Sequence, residues 1–294
     1  MEKAVYHLPG LFEFYDFYRK FLPIYREKTE YFYDWCQIGS LYGAPADCLW
    51  AGGRVSTGNA DPRQVLALTE EYGLSARLTF SNSLLCPEHL KDPKCNRLCA
   101  LFGAEPGNGV IIHSELLLDY LKERYPNFYF VSSTTKVLTD FEDLTAETER
   151  PDFRYVVPDF RLNKAFDRLA GLKEKRKVEF LCNECCWLGC RERKECYENV
   201  SRKNLGERCP DHICAASEGE KGYRFSAAMK NPAFIGVRDI RETYLPMGFS
   251  QLKIEGRGLG SAMLLEFILY YLTKPEYQLP LREEMYLDSM LDLF

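Results

Sequence analysis

No apolar run in the chain approaches the roughly 18 residues that a membrane span needs. Phe267–Leu272, one of the longer runs, is far too short. The first residues carry Glu2 and an early Pro9-Gly10, not the charged and then apolar segments of a secretory signal. A cytoplasmic location without membrane contact is therefore expected. No Ser/Gly linker or low-complexity stretch occurs, so composition offers no cut between domains. Histidine is scarce, at four residues, and no HExxH is present, which excludes a zincin-type protease at motif level. Positive charge is not in excess: the formal net charge is −5. That argues against a basic nucleic-acid footprint, and DNA is not an expected partner. The one basic run, Lys173–Lys177, reads as a solvated helix end before a strand.

Cysteine is what the chain has in quantity. There are twelve, and seven of them (Cys182, Cys185, Cys186, Cys190, Cys196, Cys209 and Cys214) lie in one short segment. That segment opens with VEFLCNECCWLGCRER, Val178–Arg193. A reducing compartment disfavours disulfides, so thiols crowded behind a strand read as metal ligands, redox groups or buried hydrophobes. Thiolate is a strong, soft ligand. On a helix, Cys186 and Cys190 would lie one turn apart and face the same way. An iron–sulfur cluster needs about four such thiolates. Cys186-x₃-Cys190 with Cys209-x₄-Cys214 is also a tolerable zinc framework. Both metals remain open on these residues alone. A radical-SAM motif does not fit, because Cys190 to Cys196 is too wide. Cys36 and Cys48 read as buried thiols. Cys86, Cys95 and Cys99 do too, although His89 beside them leaves a second metal site open.

Apolar residues make up 46% of the 294, ample for a large core. Short apolar runs alternate with helical patterns. Strands are expected at Asp34–Leu41, Ala76–Ser81, Gly109–His113, Phe128–Ser132, Phe153–Val157, Val178–Cys182, Phe234–Val237 and Gln251–Glu255. Helices are expected at Pro62–Tyr72 with Asp61 as N-cap, Leu116–Arg124 behind Ser114, Asn163–Leu172 and Ser261–Leu272. This alternation predicts a parallel sheet, and eight strands close a (β/α)₈ barrel. The alternative, an open doubly wound sheet, usually has a Gly-rich first turn that is absent here. The expected organisation is an aromatic helical segment over 1–33, a single barrel over 34–273, and a C-terminal tail over 274–294.

In a barrel, chemistry lies where strands end. Those ends are polar or small: Asn82 and Ser83; His113 to Glu115; Ser132 to Thr135; Asp159 and Arg161; Cys182 to Glu184; Arg238 and Asp239; Glu255 to Gly258. Lys253 and Glu255 have i, i+2 spacing and share one strand face. The glycines after them mark a tight turn or an anion-binding backbone.

Several stretches resemble the collagenase-like peptidase superfamily (peptidase family U32), in that family's order. They are IGSLYGAPADCLWAGGR (Ile38–Arg54), LTFSNSLL (Leu78–Leu85), SSTTK (Ser132–Lys136), NECCWLGCRERKECY (Asn183–Tyr197) and GFSQLKIEGR (Gly248–Arg257). The cysteine stretch is similar to that of a cluster-binding branch, related to ubiquinone-biosynthesis accessory and RNA hydroxylation proteins. The resemblance implies a TIM-like barrel and a [4Fe–4S] cluster at its mouth. Carried over, Cys186 and Cys190 are ligands, with Cys209 and Cys214 the nearest supply of the other two. Cys196 stands where that branch often has His, and Cys182, Cys185, Cys196 and Cys36 stay open as ligands. The implied activity is oxygen-independent hydroxylation or a related modification, without SAM, of a small-molecule or nucleobase-like substrate. Glu184, Lys253 and Glu255 would serve catalysis, and Asn183 would orient substrate or bond cluster sulfur. Asn82, Ser132, Ser133 and Thr134 would line the pocket, and Arg257 would hold an anionic group. The alternatives are a metal-binding scaffold with a protein partner and, more remotely, a peptidase. The acidic, amphipathic tail Leu281–Phe294 is expected to pack on the barrel or on such a partner.

Overall fold

Ala4, Tyr6 and Leu8 alternate with Val5, His7 and Pro9 in a strand, β1 (Ala4–Pro9), and all but Val5 are buried. It is the first of eight in this computed structural model, which describes residues 2–53, 58–214, 216 and 223–291, the last five for backbone only. The others are β2 (Cys36–Gly43), β3 (Ser75–Phe80), β4 (Gly109–Ile112), β5 (Tyr129–Ser132), β6 (Phe153–Val156), β7 (Glu179–Leu181) and β8 (Gln251–Lys253). All pair in parallel, in the order β6-β5-β4-β3-β2-β1-β8-β7. A single bridge, Val156 to Val178, joins the two ends of the sheet. The molecule is a single (β/α)₈ barrel, as eight strands alternating with helices predict.

The helices are α1 (Tyr15–Glu27), α2 (Pro62–Glu71), α3 (Pro93–Phe102), α4 (Glu115–Arg124), α5 (Phe141–Glu149), α6 (Phe166–Ala170), α7 (Arg193–Asn204), α8 (Phe225–Ala228), α9 (Val237–Asp239, continued by a π-turn to Tyr244), α10 (Ser261–Tyr271) and α11 (Gln278–Leu291). Local chemistry sets their starts. Asp61 accepts from the backbone N–H of Arg63 and Gln64 ahead of α2, with Pro62 in the first turn. Ser114 accepts from Leu117 N–H at the start of α4. Among the described residues no helix is long and apolar enough to cross a membrane.

Two strand assignments change. Phe234–Val237 is not a strand. Phe234 packs against Phe225, Tyr270 and Tyr271, and Val237 opens α9. A short apolar run carries no period of its own, and here aromatic packing decides. Arg238 and Asp239 therefore leave the list of strand ends and instead bond Glu242 and Lys164. The eighth strand is β1, inside the stretch 1–33 expected as helical. It pairs with both β2 and β8. The helical part is α1, whose Tyr18 hydroxyl donates to Pro9 O at 2.6 Å and ties the helix to the end of β1. α6 is shorter than expected: the Ala165 backbone, at ψ 57°, is not helical and the helix begins after it, while the Asn163 side chain donates to Leu181 O and Ala233 O.

The main core lies between strands and helices, where side chains such as Leu8, Phe21, Phe80, Leu121 and Ile268 are buried. Each such burial stabilises by about 1.5–3 kcal/mol. Inside the barrel, Tyr42, Ile111, Val131 and Val157 make a small apolar layer. Next to it the interior is charged, where branched aliphatics usually fill a barrel. Arg77 donates to Glu179 at 2.5 Å, Lys253 to Glu179 at 3.3 Å, and His7 lies between Ser40 and Gln251 at 2.8 and 3.0 Å. Mutual pairing is what makes these charges tolerable away from water.

Leu281 and Met285 of α11 are buried, so the start of the tail packs on the body of the chain. Arg54 and the side chains of Leu287, Met290, Leu291 and Phe294 lie outside the described residues.

Candidate active site at the barrel mouth

Residues that follow the strands converge on one small cavity. Thr79 and Ser81 come from β3 and its end, Ser133 to Thr135 follow β5, and Lys253, Glu255 and Arg257 come from β8 and its end. Tyr42 and Ile111 form the floor, and Tyr197 of α7 closes over it. The free volume is about 20 Å³, room for the centre of about one water molecule.

The walls are not all satisfied. Ser133 Oγ donates to Ser81 Oγ at 3.1 Å and accepts from Thr135. Thr79 Oγ1, Thr134 Oγ1 and Arg257 Nε, however, are buried without a hydrogen-bond partner among the described residues. Buried polar groups are normally paired. Three such groups facing one cavity mark a place where a polar ligand or water completes the set.

Lys253 lies 3.6 Å from the centre of the Tyr42 ring, and the Arg257 guanidinium 5.7 Å from the same ring. Burial pulls the Lys253 ammonium down to about 8; the Arg77 and Arg257 charges push the same way and Glu179 opposes them. Burial would push the Glu179 carboxyl up, but Arg77, His7 and Lys253 together hold it well below the carboxylate range.

Of the residues expected at the site, Ser133, Thr134, Lys253, Glu255 and Arg257 line the cavity. Asn82, Ser132, Asn183 and Glu184 do not, and each has other partners. Asn82 donates to Leu49 O and Ser201 O. Ser132 faces outward and donates to Glu147 of α5 at 2.5 Å. Asn183 exchanges two bonds with the Glu255 backbone, at 2.7 and 3.0 Å, and so ties the end of β7 to that of β8. Glu184 accepts from Arg193 at 2.7 Å and from the N–H of Cys185 and Cys186.

Thr79, Ser81 and Tyr197 also line it and are not among the residues expected there; Tyr42 and Thr135 follow expected strands but have no expected role. For Arg77, Thr79 and Ser81 the signal was present, since i, i+2 spacing in β3 puts all three on the inner face. Tyr197 carried none, because its place depends on how the segment after β7 folds back.

That segment is the cap of the cavity. α7 is pinned to the mouth by Asn82 and Ser83 at Ser201, and by Asn204 at Ala51 O. The cysteines follow from this placement. Cys182 is buried in the barrel wall, its thiol donating to Phe180 O and pushed up by burial. Cys36 is likewise buried, near Tyr271 O. Cys186, Cys190, Cys196 and Cys209 are half-buried, and Cys185 and Cys214 are exposed. The carbonyls of Cys186 and Cys190 are held by Asn231 and Arg161. No cysteine lines the cavity among the described residues.

The donor set suits a thiolate-bound metal in kind. Arg193, buried in the cap, pairs with Glu184 through Nη2 and with Asp159 through Nε at 3.4 Å, while its Nη1 donor finds no hydrogen-bond partner among the described residues. Such N–H groups are suited to thiolates or cluster sulfides. Among the described residues no three of the His, Cys, Asp and Glu side chains converge as metal ligands, so the geometry does not single out a quartet.

No protein-family model matches the chain, and no curated protein does. Among solved structures, the chain is similar to that of the U32 peptidase Mk0906. The TM-score is 0.53 at 14% identity, over 86% of this chain and 92% of that one. The two share a fold. At that identity the likeness establishes the barrel and its connections, and leaves the chemistry to the residues at the mouth.

Proposed function

We propose that the chain is an iron–sulfur redox protein of the cluster-binding U32-like branch. It would modify a small polar or nucleobase-like substrate at the barrel mouth without SAM. The observation that supports the reading is that Tyr197 of α7, within the cysteine-rich segment, covers the polar cavity, so the cysteines and the cavity lie at one end of the barrel. Cys186 and Cys190 are the proposed ligands, with Cys209 and Cys214 completing the set. Zinc is the alternative metal. When bound, a cluster supplies electrons one at a time or an open iron site. The chain's own residues do the rest. Arg257 and Thr134 hold the substrate's polar group, Lys253 and Glu255 carry or accept protons beside it, and Tyr197 excludes water.

Iron, acid-labile sulfide and zinc are measured after anaerobic purification, on the wild type and a Cys186→Ala/Cys190→Ala variant. About four iron and four sulfide per chain, lost in the variant, supports the reading. Stoichiometric zinc without iron sinks it and leaves a metal-stabilised scaffold. A peptidase reading, after the name of Mk0906, has one observation in its favour: Cys86 Sγ lies 3.2 Å from His89 Nδ1. Casein cleavage lost in Cys86→Ser would establish it.

A further inference from the structure

We infer that Lys253 is a carbonyl-reactive lysine, and that the mouth cavity takes a small aldehyde or ketone and holds it as an imine on Nζ. The inference rests on the mouth as the ligand site of the proposed function, and goes beyond it in naming a covalent step.

Four observations lead there. Lys253 is almost wholly buried, yet it lines the cavity. Its ammonium sits on the Tyr42 ring at 3.6 Å and 3.3 Å from a single carboxylate oxygen of Glu179, which Arg77 already neutralises at 2.5 Å. The free space is about the size of one water, which suits a carbonyl group and not a long chain. Arg257 Nε and the Thr79 and Thr134 hydroxyls supply unpaired polar atoms around that space for the carbonyl oxygen. Lysine pulled down to about 8 is substantially neutral near pH 8, when a surface lysine is almost wholly charged.

The step needs no oxidant. The neutral amine attacks the carbonyl carbon and forms a C–N bond. The carbinolamine then takes up one proton from solvent, equal to the one the ammonium shed on becoming the amine, and loses its hydroxyl as water, leaving an iminium whose charge stays beside Glu179 as the ammonium charge did. The groups facing Nζ are Glu179 of β7, Arg77 of β3, Tyr42 of β2, and Glu255 and Arg257 beyond β8, with His7 of β1 behind Glu179. Burial, with Arg77 and Arg257, favours the neutral amine; Glu179 and Glu255 oppose it.

The test is reductive trapping on the full chain. Formaldehyde, the smallest aldehyde, and cyanoborohydride are added between pH 6 and 10, and methylated lysine is located by peptide mapping. Surface Lys173 serves as the internal comparison. We expect Lys253 to be modified at least tenfold faster than Lys173 at pH 8, with a rate that levels off near pH 8 while that of Lys173 still climbs. An unmodified Lys253 beside a modified Lys173, or parallel pH profiles, overturns the inference. Iron and sulfide assayed on the same sample separate its failure from that of the redox reading.

Discussion

Arg193 Nη2 donates to Glu184 Oε2 at 2.7 Å, and both side chains are almost completely buried. The pair fixes the first turn of α7 to the loop behind β7. The same Glu184 carboxylate accepts from the Cys185 and Cys186 backbone, so one ion pair sets the position of the cysteine loop. Removing one partner leaves an uncompensated buried charge, at a cost of about 3–5 kcal/mol. Arg193→Met should therefore lower the urea midpoint sharply. An unchanged midpoint would show that the pair is not formed.

The cap should open before the barrel does. Asn82→Ala loses bonds to Leu49 O, Ser201 O and Leu84 N, and costs roughly 1–3 kcal/mol. Amide exchange should accelerate in α7 while β3 and β4 stay protected. Uniform acceleration across both would mean that Asn82 supports the whole barrel and not its cap.

Acid should destabilise the protein from about pH 6.5 downward. Burial and the Arg77 charge lower His7 to about 3, and burial and Lys136 lower His113 to about 4. The folded state binds fewer protons at these sites than the unfolded state, whose histidines titrate near 6.5. The stability they confer is complete above that value and is lost as pH falls toward the folded values. Glu179, also depressed, adds a loss with the same sign below about pH 4.5. Replacing His7 by Gln should flatten the curve between pH 6 and 4 by up to about 1.4 kcal/mol per pH unit. A variant with the wild-type slope would remove His7 from the account.

Two hydroxyls should respond in opposite ways. Ser132 Oγ is bonded to the Glu147 carboxylate, so Ser132→Ala should cost roughly 1.5–3 kcal/mol. Thr79 Oγ1 is buried without a hydrogen-bond partner among the described residues, so Thr79→Val should cost nothing or stabilise slightly. Thermal melts of the two variants, without added ligand, give the comparison. A large loss in Thr79→Val would show that an ordered water or another bound group satisfies the hydroxyl in solution.

The barrel was legible from alternation. Seven of the eight strands fall within a few residues of the expected runs, because strands covered by helices carry dense apolar stretches. β1 escaped because His7 breaks its apolar pattern and Pro9-Gly10 reads as a turn. Phe234–Val237 reads as a strand in sequence because four apolar-rich residues fit either state. At the site, the spacing of Lys253 and Glu255 carried real information, since strand geometry alone puts both on one face. Ser132 shows the limit: it sits next to Ser133 and Thr134, yet its position in β5 turns it outward to Glu147.

The sequence by itself determined the alternating pattern, the helix caps at Asp61 and Ser114, and the gathering of seven cysteines behind one strand. All are local, set by backbone preference and side-chain period. Only the tertiary structure decided that Arg77, Glu179 and Lys253, far apart in the chain, share the barrel axis. It alone placed Tyr197 as the lid of the cavity and put Asn183 and Glu184 to work holding the backbone. These outcomes depend on which strands close against each other and where a long excursion returns. Both are settled by burial summed over the whole chain, which no short window of sequence contains.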